Sequence, residues 1–294
     1  MVYRSELRGV LLMLGAMAIL PMMDVCAKFL SQLNVPISQI VWARFFIGTL
    51  LTLPVIWKAI GKSVLIPNKI GFHTARSASL LASTGFFFGS IKLMPLADTL
   101  AIFFIQPLLV TAMSPIFLNE KVTYSRWIAV LIGFCGTIII VKPGLQDFSV
   151  GVAMAIASGA SMAVFTVITR KYAIDDNPLT TTFHTSFIGA AIMTTTLPIM
   201  WKSPSYEEWS LMLTLAAVAV FGHYLIAKAY TMAEASLLAP LAYTEMIVAT
   251  IAGWFFFNDM PDKWTLIGVS ILISCAIYIC LDEAKIQKSL GEKT

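Results

Sequence analysis

The stretch GFFFGSIKLMPLADTLA (85–101) lies over HYLIAKAYTMAEASLLA (223–239) when the chain is shifted by about 138 residues. Met94 falls on Met232, Ala97 on Ala235 and Ala101 on Ala239. One residue later in register, Asn119-Glu120 matches Asn258-Asp259, and Phe46-Ile47-Gly48 matches Phe187-Ile188-Gly189 at a shift of 141. A repeat of this length, in segments this apolar, points to a chain built from two related halves.

The composition says what solvent those halves face. Hydrophobic residues make up 58% of the 294 residues and charged residues 12%. A soluble domain has about 45–50% apolar and about 25% charged residues. The charge is roughly half of what a water-facing surface of this size needs, which excludes a soluble enzyme, a nucleic-acid module and a disordered chain. A helical integral membrane protein is left.

Spanning about 30 Å of hydrocarbon takes about 20 helical residues. Cutting at polar and Pro/Gly breaks gives ten runs near that length: 9–30, 37–57, 73–92, 97–118, 124–141, 149–169, 180–201, 210–230, 236–256 and 264–281. The expected fold is therefore all-α, with ten transmembrane helices in two five-helix repeats, 1–143 and 144–294. An odd number of spans per repeat makes the second copy enter from the opposite side, so the repeats are inverted. That is an architecture of secondary transporters, with the site near the bilayer midplane.

Placing the N-terminus inside leaves twelve Lys/Arg on the inner side, among them Arg4, Arg8, Lys121, Arg126, Arg170 and Lys171. Four (Lys92, Lys142, Lys202, Lys263) fall on the outer side. The positive-inside rule then puts both termini in the cytoplasm of a multi-pass inner-membrane protein. The first apolar run contains Asp24 and lacks a small-residue cleavage site, so it reads as a retained span and not a signal peptide.

The segments KLMPLADTLAIFFIQPLLVTAMSPIFLNEKV and KAYTMAEASLLAPLAYTEMIVATIAGWFFFNDM resemble the paired signature of the drug/metabolite transporter superfamily, EamA type. The resemblance covers nearly the whole chain. It implies a ten-helix bundle around a central substrate cavity that opens alternately to the two sides. Exporters of amino acids and metabolites are common in that family, and it includes importers of S-adenosylmethionine and riboflavin. Pro240 lies nearer the start of its span than Pro107 does, and Asp259 stands where the family has Glu, so strict symmetry of the site is not expected.

Ionisable residues inside spans cost about 2.5–3.5 kcal/mol each on insertion scales, so each needs a reason. Glu245, mid-span, must be protonated, paired or facing a water-filled cavity. Gln106, beside Pro107, lies at similar depth, and Tyr243 is two residues from Glu245; both are substrate-contact candidates, as are Arg44, Trp42, His223 and Phe87. Asp24, Lys28 and Arg44 share a depth in the outer half. An Asp24–Arg44 pair would be structural or a gate, and Lys28 lies one turn from Asp24 on the same face. Trp42 equally fits an interfacial anchor. Lys228 and Arg76 read as charges close to the inner end, and Gly85 with Gly89 as a packing motif.

Cys26, Cys135, Cys275 and Cys280 lie in apolar runs with no metal-ligand spacing, and there is no phosphate-binding loop or nucleophile motif. No catalytic residue, metal or cofactor is expected. The expected partners are a small-molecule substrate and the bilayer, with no nucleic acid, in a monomer or homodimer; proton coupling, exchange and facilitated diffusion are all open as the driving force. The expected function is secondary transport of a small polar or zwitterionic metabolite, such as an amino-acid derivative, by alternating access. A membrane-embedded enzyme acting on lipid-linked substrates would need a convergent acid/base set, and a channel a continuous polar path; both are weaker rivals.

Overall fold

The computed structural model describes residues 2–61, 69–94, 96–141, 149–172, 177–258 and, with gaps, 263–278. The described residues form helices joined by short connections, with no strand among them. Asp259 and Cys280 lie outside them, as do Lys62, Lys142 and the inner-side lysines beyond 281.

The elements are α1 (Val2–Ile19), α2 (Pro21–Gln32), α3 (Ile37–Ile60), α4 (Ile70–Leu93), α5 (Leu96–Phe103), α6 (Ile105–Phe117), α7 (Tyr124–Val141), α8 (Val150–Tyr172), α9 (Pro178–Thr194), α10 (Leu197–Met200), α11 (Tyr206–Tyr230), α12 (Ala235–Leu238) and α13 (Thr244–Phe257). A 3-10 turn, Ala239–Tyr243, joins α12 to α13. A shorter apolar helix covers Leu266–Cys275.

Local chemistry sets the ends. Pro178 is in the first turn of α9, where its missing amide costs nothing, and Asn177 caps the turn by accepting from Leu179 N at 2.9 Å. Ser205 and Glu208 form a reciprocal capping box at the start of α11. Asn119 and Asn258, paired in the repeat, both take positive φ (56° and 58°) at the ends of α6 and α13. Among side-chain-bearing residues asparagine enters that left-handed region most easily, so the repeated Asn is a repeated helix stop.

Among the described residues six segments are long and apolar enough to cross a membrane: Glu6–Gln32, Ile37–Ala59, Asp98–Phe117, Val150–Tyr172, Tyr206–Tyr230 and Ala235–Phe257. The expected spans at 73–92 and 180–201 are more polar than this group, for a visible reason. In α4 the polar residues His73, Arg76, Ser77, Ser83, Thr84 and Ser90 are all buried, as are Thr181, Thr182, His184, Thr185 and Ser186 in α9. Helices enclosed by protein satisfy polar side chains on neighbours and need no lipid-compatible surface.

The packing is pairwise. Helix α4 lies along α8, α1 and α2 lie along α11, α3 lies along α9, and α11 contacts α3 as α4 contacts α9. Close approaches fall on glycines: a Cβ on Gly189 would sit 2.4 Å from the Phe45 ring, and one on Gly89 2.9 Å from Met154 Sδ. Gly85 faces open space, so only one half of the expected Gly85/Gly89 motif is a contact.

Candidate functional site

Four of the apolar runs are interrupted close to a proline, one of them between α9 and α10 beside Pro198, and the other three frame the site. Pro21 divides α1 from α2, Pro107 follows the break between α5 and α6 at Phe104, and Pro240 lies in the 3-10 turn. Each proline deprives the carbonyl four residues earlier of its amide partner: Met17, Phe103 and Ser236 respectively. Phe103 O lies against Gly159, where an added Cβ would be 2.5 Å from it. Just beyond each break, in the first turn of the new helix, is a polar side chain: Asp24 in α2, Gln106 in α6 and Glu245 in α13. The positive end of each helix dipole faces these groups.

All three converge on one cavity. Its atom-free space is about 680 Å³, mouth included, and the centres of water molecules can range over about 70 Å³ of it. Arg44, His223, Thr84 and Phe87 also line it. Phe165, Phe103 and Phe88 supply rings, and Met13, Met17, Met23 and Met162 supply thioethers.

The polar groups form two sets. Arg44 donates from Nη1 to Thr84 Oγ1 and faces His223 Nε2 from Nη2 at 3.1 Å. His223 Nδ1 is 2.9 Å from Ala219 O, and a carbonyl only accepts, so Nδ1 carries the proton and Nε2 accepts from Arg44. This defines a neutral imidazole that orients a guanidinium. Gln106 Nε2 donates to Thr166 Oγ1 at 3.4 Å. Asp24 is 98% buried by its relative exposure of 2%, and its Oδ1 has no hydrogen-bond partner. Glu245 is buried too, and makes none of the hydrogen bonds among the described residues. Asp24 and Arg44 share the cavity but form no ion pair, because the guanidinium is turned to α4 and α11.

Of the residues singled out in the sequence, Asp24, Arg44, Phe87, Gln106, His223 and Glu245 line this cavity. Three do not. Trp42 donates to Thr194 Oγ1 at 3.1 Å and stacks on Phe46 with centroids 4.6 Å apart, which ties α3 to α9. Tyr243 donates to Val130 O at 3.1 Å and its ring fills the space over Gly133, so it fastens the 3-10 turn to α7. The Lys28 ammonium lies 4.0 Å from the Phe257 ring centroid, away from Asp24's cavity side.

The methionines and Phe165 carried no signal, since an apolar side chain reads alike toward lipid, core or cavity. Arg76 departs from its expected place as a charge near a surface. It is 1% exposed and donates to Thr169 Oγ1 and Thr181 O, both at 2.8 Å, and to Thr185 Oγ1. Phe87 and its neighbour Phe88 both reach the cavity.

A profile described as the EamA-like transporter family matches residues 7–142 and again 149–281. An S-adenosylmethionine uptake transporter of Rickettsia prowazekii is 25% identical over 98% of both chains. That of Rickettsia bellii is 27% identical over 89% of both. A riboflavin transporter of Vibrio cholerae is 24% identical over 95% of both. One solved crystal structure superposes with a TM-score of 0.77, at 18% identity, over 95% of this chain and 98% of its own.

Proposed function

We propose that this chain, which belongs to the EamA-like transporter family, moves a zwitterionic amino-acid derivative through the central cavity by alternating access. It is a small-metabolite transporter of a bacterial-type inner membrane, multi-pass and helical, and not an enzyme. The observation that carries the substrate reading is the convergence of three proline-interrupted helices, bearing Asp24, Gln106 and Glu245, on one cavity with Arg44. Interrupted helices at corresponding places in two halves mark transporter sites.

The finer architecture we infer is ten spans in two inverted repeats, 1–143 and 144–294, with both termini cytoplasmic. Exchange of halves supports it. The contact of α4 with α8 corresponds to that of α11 with α1 and α2, α4 with α9 corresponds to α11 with α3, and α3 with α9 maps onto itself. The fourth and ninth runs, counterparts in the repeat, are both broken before a polar residue.

S-adenosylmethionine, named for the Rickettsia relatives, fits the reading: it is an amino acid with a sulfonium centre and an aromatic base, and the cavity has carboxylates, a guanidinium, thioethers and rings. Riboflavin has no charge to reward two buried carboxylates.

Counterflow in proteoliposomes tests this. Vesicles are preloaded with unlabelled S-adenosylmethionine, amino acids, riboflavin, nucleosides or organic acids, and entry of the labelled trace is followed. A saturable signal for an amino-acid derivative is expected. A signal for riboflavin alone, or none from folded protein, would overturn the reading.

A further inference from the structure

We propose that the cavity is sorted by charge along its length, so that Arg44 takes the carboxylate end of the substrate while Asp24 and Glu245 take its cationic centres. This rests on the cavity being the transport site and adds which group binds which end.

Asp24 and Arg44 are each at least nine-tenths buried, oppositely charged, and line one cavity without pairing. A buried charge left without a partner costs several kcal/mol, and Asp24 Oδ1 has no hydrogen-bond partner at all. Arg44 is not short of acceptors by accident of rotamer. Thr84 and His223 hold two of its five N–H groups, which fixes the fork and leaves the rest free of any carboxylate. The two groups are thus held on separate helices, α2 and α3, without a direct ion pair. A zwitterion completes both at once, carboxylate on the guanidinium and ammonium on Asp24.

The surroundings differ in the same sense at the two ends. Behind Arg44 a second, smaller cavity opens between α3, α4, α8, α9 and α11, sharing Arg44, Phe165 and His223 with the first. Its polar lining is Arg76 and the hydroxyls of Thr182, Thr185 and Ser186, and it contains no acidic residue. That is an environment for an anionic oxygen. Glu245 and Asp24 line only the main cavity, where thioethers and the Phe87, Phe88 and Phe103 rings suit a soft or delocalised cation. Two carboxylates against one guanidinium leave room for a second positive centre beside the ammonium, such as a sulfonium.

The test is competition for counterflow by S-adenosylmethionine and three analogues: one without the carboxylate, one without the amino group, and the neutral thioether lacking the S-methyl. In the unaltered protein each deletion is expected to weaken competition about tenfold or more, as for a lost buried hydrogen bond to a charge. In Arg44→Gln the penalty for deleting the carboxylate should shrink to under about threefold while the amino penalty persists; Asp24→Asn should do the reverse. Equal flattening of both penalties by either variant, or full penalties retained in both, would overturn the assignment. Should a variant fail to fold, the unaltered protein decides: an analogue lacking the carboxylate or amino group that competes as well as the parent is fatal to it. Failure of the parent compound and every other amino-acid derivative to exchange would instead overturn the transport reading beneath.

Discussion

Arg170 Nε donates to Glu120 Oε1 at 2.9 Å, and the same oxygen accepts the Ala235 amide at 3.1 Å. Glu120 Oε2 accepts the Ser236 amide at 3.2 Å, so one carboxylate caps α12 and holds the end of α8 to it. Arg170 also donates to Tyr230 O at 2.6 Å, and Arg126 pairs with Glu234 at 2.5 Å beside it. Removing one partner of a buried pair leaves the other uncompensated, at about 3–5 kcal/mol. Arg170 keeps some solvent exposure, which places Glu120→Ala near the low end, roughly 3 kcal/mol. Unfolding in detergent, followed by tryptophan fluorescence, should show this loss, with Glu120→Gln losing less because it keeps an acceptor for the α12 amides. A Glu120→Ala protein that unfolds like the parent would mean this junction contributes nothing.

Tyr243 and Gly133 form a lock between the 3-10 turn and α7. A Cβ at position 133 would lie 2.3 Å from the Tyr243 ring, so Gly133→Ala should destabilise by about 1–3 kcal/mol through overpacking. Tyr243→Phe loses only the bond to Val130 O, about 1 kcal/mol. Neither residue lines the cavity, so half-saturation in counterflow should not change in Tyr243→Phe. A large change there would restore Tyr243 as a substrate contact.

The sequence carried depth but not direction. Charges inside apolar runs are visible in one dimension and pointed to Asp24 and Glu245, and Pro107 pointed to Gln106 beside it; that each follows a helix break is visible only in the fold. Which way a side chain points round its helix depends on the partner helix. Hence Trp42, at the right depth, turns to Thr194 on α9, and Arg44 turns to His223 and not to Asp24. Arg76 looked like a charge near the surface because its span is polar, yet polarity in α4 reflects enclosure by α8 and α9. The methionine stripe at 13, 17 and 23 is legible only once α11 fixes which face of the first run turns inward.

Gly159 faces the carbonyl that Pro107 leaves without its amide. Because the atom opposite is backbone, a methyl at 159 cannot be absorbed by rotating a side chain. Gly159→Ala should therefore cost about 1–3 kcal/mol in detergent unfolding and lower counterflow rates, since it pushes α8 from the broken run that carries Gln106. Restoring continuity with Pro107→Ala should partly offset the stability loss, by returning an amide to Phe103 O. Strictly additive effects of the two changes would show that the carbonyl and the glycine act independently.

Glu245 separates two kinds of coupling. If its carboxyl carries a proton through the cycle, Glu245→Gln removes the proton but keeps shape and a hydrogen-bonding end. Uptake driven by a pH gradient should then be lost while counterflow, which needs only binding and reorientation, continues at a comparable rate. If Glu245 only meets a cationic centre of the substrate, both activities should fall together, by about tenfold or more, as an uncompensated contact to charge predicts. Gradient-driven uptake that survives in Glu245→Gln would remove Glu245 from proton coupling altogether. Asp24 would then be the next carboxylate to examine, because it too is buried at the start of a broken helix and lacks a partner on Oδ1.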